Sequence, residues 1–167
     1  PDEGASWMIF ENNVVYNTNS HSVHEHWGRQ NIYRNNIFAF GGEGGIMLNH
    51  EAHHAWVDSP AKGCTFERNI VVARDSWIFH DVDRYFSNDN NLISDLNLYW
   101  DYGRNAPVVC LHEPNNTPEE RTELSLEDMR EKGFERHSVA ADPGFADPAN
   151  GDFSLSEDSP VWHLGIT

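Results

Sequence analysis

The stretch His21-Ser22-Val23-His24-Glu25-His26-Trp27-Gly28-Arg29-Gln30-Asn31-Ile32-Tyr33-Arg34-Asn35-Asn36-Ile37-Phe38-Ala39-Phe40 decides the fold. It holds a short strand ending in a His-acid pair, then two short apolar strands around Asn35-Asn36. Outward from it, up to about Glu113, the chain repeats that plan. Asn13-Val14-Val15, Asn36-Ile37-Phe38, Asn69-Ile70-Val71 and Asn97-Leu98-Tyr99 each set an asparagine before two apolar residues, at intervals of roughly 23 to 33 residues. The residues before them are also alike: Phe10-Glu11-Asn12, Tyr33-Arg34-Asn35, Phe66-Glu67-Arg68 and Ser94-Asp95-Leu96. A bend at the asparagine is expected, since Asn tolerates left-handed backbone angles. Stacked asparagines can also hydrogen-bond along a ladder.

A third short strand follows each repeat: Ser22-Val23-His24, Ile46-Met47-Leu48-Asn49, Trp77-Ile78-Phe79 and Val108-Val109-Cys110-Leu111. Three short strands per coil describe an all-β chain, a single-stranded parallel β-helix or solenoid. Extra residues fall in loops, Glu51 to Gly63 and Val82 to Asn91. The competing arrangement is an antiparallel sandwich. Residues 1–113 are expected to form the coils and 114–167 a capping segment of the same domain. In that segment Ser125, Asp128 and Gly133 predict one short helix over 126–132. The chain begins with Pro1, and its amino end shows no cap, so further N-terminal coils of the same protein are expected to precede it.

Composition narrows the classes. The 167 residues are 38% hydrophobic and 12% aromatic, enough for one domain with a core. Net charge is -16, from 27 acidic and 11 basic residues, which argues against nucleic acid and anionic membrane as partners. No apolar run of about 18 residues exists. Cys64 and Cys110 form no CxxC pair and read as small buried residues.

The candidate chemistry lies where the third strands end. His24-Glu25, His50-Glu51, His80-Asp81 and His112-Glu113 recur at roughly coil-length intervals. Stacked coils lie about 4.8 Å apart, so these pairs are expected to form a ladder on one wall. His26, Trp27, His53, His54, Asp83 and Arg84 cluster beside it. If Ile46, Leu48, Ile78 and Cys110 point inward, alternation puts His50, His80 and His112 inward and Glu51, Asp81 and Glu113 outward. The histidines then read equally well as satisfied strand-end residues, and the acids as a solvated edge. His50-Glu51-Ala52-His53-His54 formally matches HExxH, but Gly44-Gly45 before it and Asp58-Ser59-Pro60 after it oppose the helix that a zinc peptidase needs. No metal site is assigned.

The segment from His24 to Phe40 resembles the His-x-His-aromatic-Gly segment and following Asn-Asn-Ile-Phe strand of large right-handed parallel β-helix proteins among bacterial carbohydrate-active enzymes. Gly133 to Ser138, Ala141-Asp142-Pro143, Gly151-Asp152-Phe153 and Ser159-Pro160 are similar to their closing segment. Family 141 of the glycoside hydrolases, whose described activities include fucosidase and xylanase, is the group resembled. The resemblance implies a right-handed coil, a secreted or periplasmic setting, and a polysaccharide or oligosaccharide partner. It assigns no catalytic acids. From the ladder, Asp81 with Glu51 or Asp83, then Glu25, are the candidate catalytic carboxylates of a hydrolase. His24, His26, Trp27, His50, His80, Arg84, His112 and Glu113 are the candidate sugar-binding residues. Two alternatives stand beside this. One is a polysaccharide lyase on the same fold, for which Ca²⁺ would be a cofactor where the hydrolase needs none. The other is a non-catalytic glycan-binding or structural end of a larger protein.

Overall fold

The computed structural model describes residues 1–49, 63–82, 86, 91–104, 106–113 and 117–167. Within them the chain is mostly strand, in sheets of parallel strands, with one short α-helix. Four passes each give one strand to each of three sheets. The first sheet takes β1 (Ile9–Glu11), β4 (Ile32–Arg34), β7 (Thr65–Glu67) and β10 (Ile93–Asp95). The second takes β2 (Val14–Tyr16), β5 (Ile37–Ala39), β8 (Ile70–Ala73) and β11 (Leu98–Asp101), and ends on β14 (Val139–Ala140). The third takes β3 (His21–His26), β6 (Gly44–Asn49), β9 (Trp77–Val82) and β12 (Val108–His112). Its edge is closed by β13 (Thr122–Leu124), which runs antiparallel to β12.

The repeated asparagines fix the corner between the first two sheets. Asn13 donates its backbone N–H and its Nδ2 to Asn36 Oδ1, at 3.1 and 3.0 Å. Asn36 does the same to Asn69 (3.1 and 3.0 Å), and Asn69 to Asn97 (2.9 and 3.2 Å). Each second amide hydrogen goes to a carbonyl one pass back: Asn36 to Phe10, Asn69 to Tyr33 and Asn97 to Phe66. Buried polar groups are thereby satisfied in series. The bend falls one residue earlier than expected. Asn12, Asn35, Arg68 and Leu96 carry φ of 58°, 51°, 54° and 60°. The ladder residues themselves are held by their side chains. The aromatics before the first three bends also stack: Phe10 on Tyr33 at 4.9 Å and Tyr33 on Phe66 at 4.7 Å.

The last pass replaces the asparagine with two residues. Ser138 Oγ accepts the Asn97 N–H at 2.8 Å, and Glu135 Oε2 accepts from Asn97 Nδ2 at 3.3 Å. Between β13 and Glu135 lies α1 (Leu126–Glu131), opened by a capping box of Ser125 and Asp128. Leu126, Met129 and Phe134 close the carboxyl end of the core formed by Tyr33, Phe66, Phe79 and Tyr99. The remaining tail covers the outer face of the second sheet, where Phe145, Val161, Leu164 and Ile166 pack on Ile70, Val72 and Leu98. A sheet covered on both faces takes continuous apolar strands, which is why β8 reads Ile-Val-Val-Ala. Both cysteines are buried and free.

Candidate functional site

With the second sheet covered, the third sheet presents the most chemically varied outer surface. Its register differs from the expected ladder of four His-acid pairs. His24, Met47, His80 and Leu111 share one row, and Glu25, Leu48, Asp81 and His112 share the next. Thus His24-Glu25 and His80-Asp81 align, His112-Glu113 slips by one residue, and Met47-Leu48 occupies the second pass. His50 and Glu51, like His53, His54, Asp83 and Arg84, lie outside the described residues.

Facing is also corrected. Ile78 and Phe79 are both buried, as are Val109 and Cys110, so simple alternation fails near the strand starts. Phe79 pairs with Ile46 and Cys110 in the core, and Asp81, two residues on, shares its side. Asp81 is therefore buried, not outward, and accepts from the Phe86 N–H, while His112 Nδ1 lies 3.3 Å from its Oδ2. Glu25 is fully buried as well. Asn31 Nδ2 donates to both its oxygens at 3.1 Å, and the Tyr33 hydroxyl donates to Oε2. A Cβ on Gly28 would stand 1.8 Å from Glu25 Oε1, so the glycine of the His-x-His-Trp-Gly segment makes room for that inward carboxyl. Burial raises the Glu25 pKa, with the bonds from Tyr33 and Asn31 opposing. Trp27 is also buried, at 5% exposure, and offers no ring face to a sugar.

The open wall is built from other groups. His80 is half-buried, and its Nε2 lies 2.8 Å from Glu113 Oε2. Arg121 clamps the same carboxylate with two nitrogens, each at 3.1 Å. Burial pushes the Glu113 pKa up, but the bonds from Arg121 and His80 outweigh it and leave the group lowered, hence ionised. The Trp77 ring lies 6.0 Å from His80, and its Nε1 donates to Glu123 at 3.3 Å. His21 stands 5.5 Å from His80 between ring centroids. Its Nε2 is buried and makes no hydrogen bond among the described residues, a defect of roughly 1–3 kcal/mol. At the opposite end of the wall His24 stacks on His26 at 5.0 Å, and His26 Nδ1 meets Asp2 Oδ1 at 2.6 Å. Asp2, Glu3 and His26 there bring ligand-type atoms within 4.8 Å of one another.

The structure thus brings His80 and Glu113 together, sets His24 and His26 on the same sheet, and buries Glu25, Asp81 and also Glu113, which alternation places outward. Sequence reading missed His21, Trp77, Arg121 and Glu123. Trp77 and His80 lie three residues apart, a spacing that strict alternation puts on opposite faces. Arg121 reaches the wall through the turn into β13, which no repeat announces.

A strand-rich chain of parallel sheets, with a histidine- and tryptophan-bearing wall, is the class that these elements define. No family model, curated protein or solved structure matches the chain. Among the described residues no helix is long and apolar enough to cross a membrane.

Proposed function

We propose that the chain is part of a right-handed parallel β-helix of the carbohydrate-active type, acting as a glycoside hydrolase on a polysaccharide or oligosaccharide held along the third sheet. Handedness is supported by the near-universal right-handed crossover between parallel strands of one sheet. The observation that carries the reading is the adjacency of Trp77 and His80 on the open wall, with the buried Glu113 carboxylate directly behind His80. An indole face packs on the apolar face of a sugar ring, and imidazole and carboxylate bond its hydroxyls. Glycoside cleavage takes two carboxyl groups. Glu113, held ionised by Arg121, would serve as base or nucleophile, with Glu51 or Asp83 as the acid. Arg121 reaches this wall, and its commitment to Glu113 favours hydrolysis over lyase chemistry.

A second reading, a glycan-binding wall without catalysis, draws support from the inward turn of Glu25 and Asp81. A panel of neutral and acidic polysaccharides separates the two. Hydrolysis predicts new reducing ends, at least a hundredfold fewer in Glu113→Gln and in Glu51→Gln. Retention of glycan by the native protein with no new reducing ends selects the binding reading. Unchanged turnover in both variants removes the carboxylate assignment.

A further inference from the structure

His21 opens β3 and His80 lies on β9, with β6 between them. Their rings nevertheless meet at 5.5 Å, tilted by 35°. Gly44 on β6 permits this: a Cβ there would stand 3.1 Å from His21 Cδ2 and 3.3 Å from Nε2. Each ring has one nitrogen turned toward a carboxylate. His21 Nδ1 lies 3.7 Å from Glu43 Oε2, and His80 Nε2 lies 2.8 Å from Glu113 Oε2. The opposite nitrogens, His21 Nε2 and His80 Nδ1, are left for something else. The His21 side chain is 6% exposed, and its Nε2 has no hydrogen-bond partner among the described residues.

We propose that His21 and His80 together bind a divalent transition-metal ion, Zn²⁺ or a similar imidazole-seeking cation, on the outer wall of the third sheet. Two imidazoles on a tetrahedral ion with metal–nitrogen bonds of about 2.0–2.1 Å place their ring centroids about 5 Å apart, close to the separation present. Glu113 behind His80 Nε2, and the Ser20 hydroxyl 3.4 Å from His21 Nδ1 and itself bonded to Glu43, orient the two rings, the usual support of a metal-bound histidine. The protein's net charge of -16 favours a cation. Water completes the coordination. The inference does not rest on the carbohydrate reading.

The chelator-treated protein, titrated with ZnCl₂ in a calorimeter, is expected to take up one equivalent whose affinity falls at least tenfold in His21→Ala and in His80→Ala. Glu43→Gln, an exposed and conservative change, should weaken it by a smaller factor. His26→Ala should leave it unchanged, which separates this pair from the exposed Asp2, Glu3 and His26 group. Cu²⁺ in place of Zn²⁺ should give an electron paramagnetic resonance spectrum with two nitrogen ligands, reduced to one in His21→Ala. Urea melts of each variant check that it folds, and His80→Gln replaces His80→Ala if that variant does not. Absence of binding, loss of binding in His26→Ala, or a copper spectrum with oxygen ligands alone overturns the proposal.

Discussion

The asparagine corner and the third-sheet wall are built by the same four passes of the chain from opposite materials. At the corner, one residue type recurs in every pass, and the amides of Asn36, Asn69 and Asn97 are engaged on both sides. On the wall, no row repeats: histidine, methionine, histidine and leucine succeed one another, and His21 keeps a buried nitrogen without a partner among the described residues. A stack needs every rung to satisfy the next, so identity is imposed where polar groups are buried. Where one face meets solvent, identity is free to vary, and chemistry collects there.

The largest test of this contrast is Asn69→Ala. It removes the acceptor for two Asn36 donors and the side-chain donor to the Tyr33 carbonyl, while Asn97 Oδ1 keeps the backbone N–H of residue 69. We expect a loss of roughly 3–5 kcal/mol in urea unfolding. His24→Ala, on the exposed wall, should change stability by less than about 0.5 kcal/mol. Similar losses from both would erase the distinction between corner and wall.

The two regions should also answer pH with opposite signs. Glu135, buried at the ladder's end among Ser94, Ser138 and Asn97, has a pKa raised by burial above the ordinary 4.5. A raised carboxyl contributes stability that is present below 4.5 and lost as pH climbs through its folded value. Glu25 acts in the same direction. His21 is depressed from 6.5 to about 4. Between those values the unfolded chain binds a proton that the folded protein does not, so stability falls as pH drops from 6.5 to about 4. Unfolding midpoints across pH 4–9 should show a maximum that flattens on its alkaline side in Glu135→Gln and on its acid side in His21→Gln. A variant that flattens the wrong side would reverse the assignment of that group.

What the sequence made legible follows the same division. The Asn-apolar-apolar repeat located the strands and the ladder, because both depend on residues that must recur. Ser125, Asp128 and Gly133 located the helix, because capping is local chemistry. The wall was harder to read. Its register turns on two consecutive buried residues at Ile78-Phe79, which no periodicity announces, and Arg121 arrives from a different element altogether. Glu25 reads from the sequence as a candidate catalytic carboxylate, although Gly28, three residues on, leaves space for an inward carboxyl; that spacing is the available clue to its burial.

The smallest effect concerns the bend itself. Four equivalent positions adopt left-handed backbone angles, and they hold Asn12, Asn35, Arg68 and Leu96. Asparagine suits that region, whereas arginine and leucine are strained there by roughly 1–2 kcal/mol. Arg68 bonds Glu67 at 2.9 Å, a partly exposed pair worth about 0.5 kcal/mol. Arg68→Asn should therefore stabilise the protein by about 0.5–1 kcal/mol, whereas Arg68→Ala, which loses the ion pair and keeps the strain, should not. Leu96 packs against the core between the second sheet and the tail, so Leu96→Asn exchanges backbone relief for lost apolar contact and should gain less than Arg68→Asn. If Arg68→Ala stabilised as much as Arg68→Asn, the side chain rather than the backbone would be the source of strain, and the bend would then be set by the ladder asparagine that follows it.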